Sequence, residues 1–237
     1  MRTFTSMILR LSTLLVWSGF LTWLMVSGEV YRYIGARTRW VVVFGALILA
    51  LAALAQAWAI LLTRAGAGDS RVSRGEIFGV VSLLAPIAIV VLIPKPTLGS
   101  EAASRKAGNF VSAASSFAPV PDPGGNVSLP AINYASESAE YAAALGIADG
   151  YEVKLTGFVT HPDGGPKGTF ALTRFETFCC AADAVPYSVT VDPRDVKDYP
   201  DDTWLTISGF LVDVSGEFVL SPERLSKIEE PRNPYIE

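Results

Sequence analysis

Two cysteines stand side by side in "RFETFCCAADAVPYSVTV" (Arg174–Val191); Asp183 follows three residues after the second, and the 237-residue chain has no other cysteine. Adjacent thiols beside a carboxylate suit three kinds of chemistry. As thiolates, Cys179 and Cys180 hold a soft or borderline metal such as zinc or Cu(I). Asp183 and the single histidine, His161, would then complete the four ligands that zinc prefers. Oxidised, the pair forms a strained vicinal disulfide. Left alone, the two side chains are small buried hydrophobes, a common state for cysteine. The metal-ligating candidates are therefore Cys179, Cys180, Asp183 and His161.

The backbone decides among these. Consecutive residues of a regular strand point to opposite faces, so a strand running through Cys180 excludes one ion shared by both sulfurs. A break at Cys179 permits it, and the "AADAVP" that follows lacks strand alternation. Arg174 lies inside a strand, where its charge needs a partner. Asp183 or Asp192 would serve, which makes Arg174 and Asp183 the candidate ligand-binding residues. No catalytic residue is assigned: the sole histidine sits on a loop, and no Ser-His-Asp or Cys-His arrangement can be assembled. The expectation is a binding protein and not an enzyme. The acidic run "DPRDVKDYPDD" (Asp192–Asp202) lacks the glycine and spaced oxygen ligands of a calcium loop and reads as solvated.

The elements that must position these residues fall into two regimes. Half the chain is hydrophobic, yet 18% is charged. Residues 1–93 carry eight arginines, no lysine and three acids, whereas residues 94–237 carry eleven basic and twenty acidic residues. A basic membrane anchor is followed by an acidic soluble part, and that acidity argues against nucleic-acid binding.

Leu11–Val26, Trp40–Leu62 and Ile77–Ile93 are the apolar runs. About 20 residues cross a bilayer core, so the second run is comfortable and the others need extending at their ends. Residues 1–28 also suit a cleaved signal peptide. Three spans fit better, because Glu29–Arg39 reads as a tight loop ringed by Trp23, Tyr31, Tyr33 and Trp40. Arg2, Arg10, Arg64, Arg71 and Arg74 outnumber Arg32, Arg37 and Arg39, which predicts a cytoplasmic N-terminus and an extracytoplasmic soluble part. Gln56 is the costliest polar group in the spans, and Ala46, Ala50, Ala53 and Ala57 form a small-residue stripe suited to close helix packing.

Residues 94–134 are rich in Ser, Ala, Gly and Pro, with "PVPDPGG" at Pro119–Gly125, and predict a flexible linker. Residues 135–237 predict one short helix over Ala135–Leu145, capped by Ser136 or Ser138 and ended by Gly146, then β structure. Five strands are expected: Tyr151–Thr160, Thr169–Cys180, Tyr187–Val191, Thr203–Val214 and Glu217–Ser221. Glycines inside strands at Gly157 and Gly209 suit the bends of a small closed barrel of the OB type, with a β-sandwich as the alternative. The fold class is thus an α-helical membrane anchor of three transmembrane helices followed by an all-β, OB-like five-stranded barrel.

The order of "SGEVYRYIGAR", "LGSEAASRKAG", "LTGFV", "RFETFCCAADAVPYSVTV", "WLTISGFL" and "PRNPYIE" resembles the YcgQ-like (DUF1980-type) family of bacterial membrane proteins of unknown function. The likeness runs over most of the chain, and the CC-x-A-D segment is its sharpest part. It implies a multi-pass cell-membrane protein whose OB-like domain acts beside a polytopic permease subunit.

Overall fold

The computed structural model describes residues 4–62, 73–92, 98–107, 127–162, 169–192 and 199–236. Its chain divides into two compact units, Met1–Pro96 and Thr97–Glu237. Residues 163–168 of the hairpin loop, residues 193–198 of the Asp192–Asp202 run and the "PVPDPGG" segment lie outside the described residues.

In the first unit, α1 (Phe4–Ser27), α2 (Arg39–Leu62) and α3 (Arg74–Leu92) are the described helices long and apolar enough to cross a membrane. The turn between α1 and α2 is compact. Gly28 takes a left-handed φ of 79°, two 3-10 turns follow, and Val30 is buried against Leu24 and Val42. Arg32 pairs with Glu29 at 3.3 Å, and the Arg39 guanidinium lies 4.4 Å above the Tyr31 ring.

The small-residue stripe of α2 is used within the chain. Ser18 Oγ donates to the Ala46 carbonyl at 3.2 Å, a side chain at Gly45 would meet Leu21, and Ala53 is buried. Small residues let the two backbones approach where no hydrophobic drive separates protein from lipid. Pro86 interrupts α3; it has no N–H to donate and crowds the turn before it. In that turn the Leu83 carbonyl accepts the Trp17 indole N–H at 3.2 Å, so α1 supplies a donor where the helix is weakened.

The second unit is a closed barrel. Strands β1 (Tyr151–Thr160), β2 (Phe170–Glu176), β3 (Val185–Val191), β4 (Trp204–Val214) and β5 (Glu217–Lys227) are joined in the order β1-β4-β5-β3-β2, and a β1–β2 pairing completes the circuit. All neighbours are antiparallel except β3 and β5, which meet in parallel at Val191 and Leu220. This is the five-stranded OB-type barrel, not the sandwich. A short sixth strand, β6 (Tyr235–Ile236), adds in parallel to β2 at Phe175 and Glu176.

Both strand glycines mark close approaches. A Cβ at Gly157 would sit 2.6 Å from the Thr173 carbonyl oxygen, and one at Gly209 would sit 2.1 Å from that of Ser221. Gly209 also lies at the β4–β5 register shift, where an extra residue bends the sheet toward closure.

The linker expectation fails at both of its described ends. Leu129–Glu137 is a helix (α5), followed after Ser138 by a second helix, α6 (Ala139–Leu145), where one helix was expected. Pro130 opens α5 and the Ser128 hydroxyl caps it, accepting the Ala131 N–H at 3.4 Å. Ser138 ends α5 and caps α6 by accepting the Tyr141 N–H at 3.2 Å, and Gly146 closes α6 at φ 68°. The apolar run "LPAIN" is too short to stand out from a linker composition, yet Leu129, Ile132 and Ala135 pack into the barrel core with Leu172, Val189, Leu205 and Leu220. At the other end, Ser100–Ala107 is α4. Its Ala103 packs against a smaller cluster of Phe158, Phe175, Ala184, Trp204 and Tyr235 on the outside of the barrel wall.

Candidate thiol–carboxylate site

The site sits where β2 stops. The sequence suggests a strand continuing to Cys180, but it ends at Glu176, because the next backbone donors are taken by a side chain. Asp183 Oδ1 accepts the Phe178 N–H at 3.0 Å, and its Oδ2 accepts the N–H groups of Cys179 at 2.8 Å and Cys180 at 3.3 Å. With these amides engaged by a carboxylate, β2 does not run on past Glu176. The following Ala181–Asp183 forms a 3-10 turn with Cys180 as its N-cap.

Freed from the pleat, the two sulfurs converge to 3.7 Å. One ligand atom from each of Cys179, Cys180 and Asp183 lies within 4.8 Å of the others, with Cys179 exposed and the other two partly so. This is the geometry in which one ion can be shared, and it excludes two thiols pointing to opposite faces.

Electrostatics are set by the same contacts. The hydrogen bond to the Asp183 carboxylate, followed by that to the Cys180 sulfur, pushes the Cys179 thiol up to about 12. Burial draws the Asp183 carboxyl upward, but the hydrogen bonds from the Cys179 thiol and the three backbone N–H groups outweigh it and hold the carboxyl below its usual range. The resting pair is a protonated thiol against a carboxylate. A cation that replaces the thiol proton meets two sulfurs and an ionised oxygen, a donor set suited to soft and borderline metals.

The other residues expected at the site lie elsewhere. His161 is not brought to the sulfurs: its Nδ1 is 2.8 Å from Asp201 Oδ1, which also accepts its backbone N–H at 3.1 Å. Arg174 donates to neither expected carboxylate in these bonds; its Nε and Nη2 reach the carbonyls of Pro234 at 3.2 Å and Asn233 at 2.9 Å. It anchors the segment that carries β6 onto the end of β2.

Sequence reasoning missed Lys106, whose ammonium reaches three carbonyls of the turn that carries Asp183. Its signal was slight: Glu101 and Arg105 at i, i+4 in "SEAASRKA" hint at a helix in a stretch otherwise read as linker. Also unforeseen was a cavity of about 280 Å³ beside α4, lined by Ser104, Thr160, Thr173 and Ser188. Threonines alternating along strands carry no sequence signal of a pocket.

A helical unit with membrane-spanning composition joined to an OB-type barrel bearing an exposed Cys-Cys-Asp cluster defines the class. Residues 9–109 match the DUF1980 N-terminal domain and residues 125–236 the DUF1980 C-terminal domain, so the chain belongs to the DUF1980 family. The resemblance read from its motifs is borne out. The N-terminal match takes in α1 from residue 9 onward, α2, α3 and α4, and the C-terminal match takes in α5, α6, the barrel and the cysteines. No curated protein matches the chain.

Proposed function

We propose that this protein is a multi-pass membrane subunit that stands beside a polytopic permease and captures a soft or borderline metal ion, such as zinc, at Cys179, Cys180 and Asp183. The observation that carries the reading is the convergence of the three ligand atoms within 4.8 Å at an exposed turn. Three protein ligands leave a position open, and open sites exchange their metal, whereas four-ligand structural sites keep it. Exposure at Cys179 suits delivery to or from a partner. The role is binding and presentation, with no catalytic step.

The anchor supports the partnership. Large apolar side chains all along α3, among them Phe78, Val81, Ile89 and Leu92, are exposed in the chain and suit lipid or a neighbouring membrane protein. The arginine distribution favours the barrel outside the cytoplasm. The test is isolation from native membranes in mild detergent. A polytopic membrane protein should co-purify and zinc should be retained, with the metal lost in Cys179→Ser, Cys180→Ser. A chain recovered alone and metal-free under non-chelating conditions sinks the reading.

A thiol sensor is the second reading, favoured by the 3.7 Å sulfur separation. Oxidised glutathione, taking two electrons, would then convert the pair to a disulfide. Two titratable thiols surviving that treatment argue for the metal site alone.

A further inference from the structure

Helix α4 is fastened to the barrel at three places. At its N-terminus the Asp202 carboxylate accepts the Ser100 N–H at 2.6 Å and the Ser100 hydroxyl at 3.1 Å, supplying negative charge where a helix favours it. Asp202 reaches this position from a left-handed backbone (φ 62°), and Gly99 leaves it room, since a Cβ there would lie 2.5 Å from Asp202 Oδ1. Along its length, Ala103 is buried with Phe158, Phe175 and Trp204. At its C-terminal end Lys106 Nζ reaches the carbonyls of Ala181 at 3.4 Å, Ala182 at 3.1 Å and Ala184 at 2.9 Å.

The third attachment is chemically specific. An ammonium has three N–H groups and no acceptor, and here its nitrogen lies within hydrogen-bonding distance of three carbonyls of a single turn. That turn holds Asp183, whose carboxylate fixes the amides of Phe178, Cys179 and Cys180. The contacts therefore form one series, from α4 through Lys106 to the 181–184 turn, then to Asp183 and the thiols. In sequence, α4 begins eight residues after α3 ends, so the helix that grips the site is also the first described element beyond the last long apolar helix.

We propose that Lys106 is a positioning residue for the thiol–carboxylate site: by holding the 181–184 turn it sets the metal affinity, and metal capture in turn tightens α4 on the barrel. The proposal rests on the metal-binding reading of the site. Residues that orient a metal's ligands typically change affinity about 10–100-fold when removed. Binding equilibria are reciprocal, so whatever factor α4 docking adds to metal affinity, metal must add to α4 docking.

The test uses the full chain in detergent, with Lys106→Met to keep the aliphatic stem and remove the ammonium, and Glu101→Gln as a control on the same helix. Zinc affinity is read by competition with a chromogenic chelator, and backbone exchange by deuterium uptake. Lys106→Met should bind zinc about 10–100-fold more weakly and speed exchange over residues 178–184, while Glu101→Gln does neither. Lys106→Arg, which keeps the charge and donors, should recover part of the affinity. In the wild type, zinc should slow exchange in α4. Unaltered zinc affinity in Lys106→Met, or α4 exchange indifferent to bound zinc, overturns the proposal. If the wild type itself binds no zinc, the metal reading fails on its own and with it the role in affinity. The mechanical link is then decided by exchange over residues 178–184, and equal uptake in Lys106→Met and wild type refutes that too.

Discussion

Asp183 Oδ2 lies 2.8 Å from the backbone nitrogen of Cys179, so the carboxylate that stands with the thiols also holds the chain that presents them. Asp183→Asn keeps the shape but halves the acceptors and removes the charge. It should weaken zinc binding by at least about tenfold and speed amide exchange at Phe178, Cys179 and Cys180, with little change in global unfolding. Unchanged exchange at those three amides would show that the hydrogen bonds do not hold the turn.

The thiol and the carboxylate titrate in opposite senses. Cys179 is raised from 9.0 to about 12, so its bonded form is complete below the ordinary thiol value and is lost as pH climbs toward the raised one. Asp183 is lowered from 3.8, so its contribution is complete above that value and is lost as pH falls through the depressed one. Alkylation of Cys179 by iodoacetamide should therefore keep accelerating well above pH 9, and Asp183→Asn should move the profile toward an ordinary thiol. A plateau near pH 9 in the wild type contradicts the assigned hydrogen bond.

Helix α5 belongs to the barrel. Ile132 is fully buried, and its truncation to alanine should cost about 2–5 kcal/mol, read as a lowered midpoint of denaturant unfolding. A fragment starting at Ala135, the boundary that composition suggests, should for the same reason be far less stable than one starting at Thr97.

On α2, the helix whose Ala46 carbonyl accepts from Ser18 of α1, Ala53 is 2% exposed. Ala53→Leu should overpack the pair at a cost of about 1–3 kcal/mol and raise protease sensitivity in the Gly28–Thr38 turn. Equal cleavage in both proteins would place that face against lipid instead.

The barrel was legible because its signals are local and periodic. Tyr151–Thr160 alternates and emerges with the same bounds, and Gly157 and Gly209, which suit barrel bends, prove to sit at close approaches that no larger residue could make. The helices α4 and α5 were hidden because their order comes from contacts far away in sequence: Asp202 and the Ala181–Ala184 carbonyls for α4, the barrel interior for α5. Composition alone cannot report such partners. For the cysteines, the sequence posed the right alternative, strand or break, but the deciding agent was a carboxylate three to five residues downstream capturing three amides. His161, the sole histidine and on the neighbouring hairpin, is a reasonable fourth ligand from sequence; Asp201, near it in space and forty residues away in sequence, holds it instead.

In the proposed function, Cys179, Cys180 and Asp183 bind one soft or borderline metal ion together. Titration of the reduced, detergent-solubilised full chain with Co(II) as a zinc surrogate tests it most directly, because thiolate coordination produces a sulfur-to-metal charge-transfer band. The band should saturate at about one ion per chain, be displaced by zinc, and disappear in Cys179→Ser, Cys180→Ser. No band at mildly alkaline pH, or one that persists without both cysteines, would contradict it.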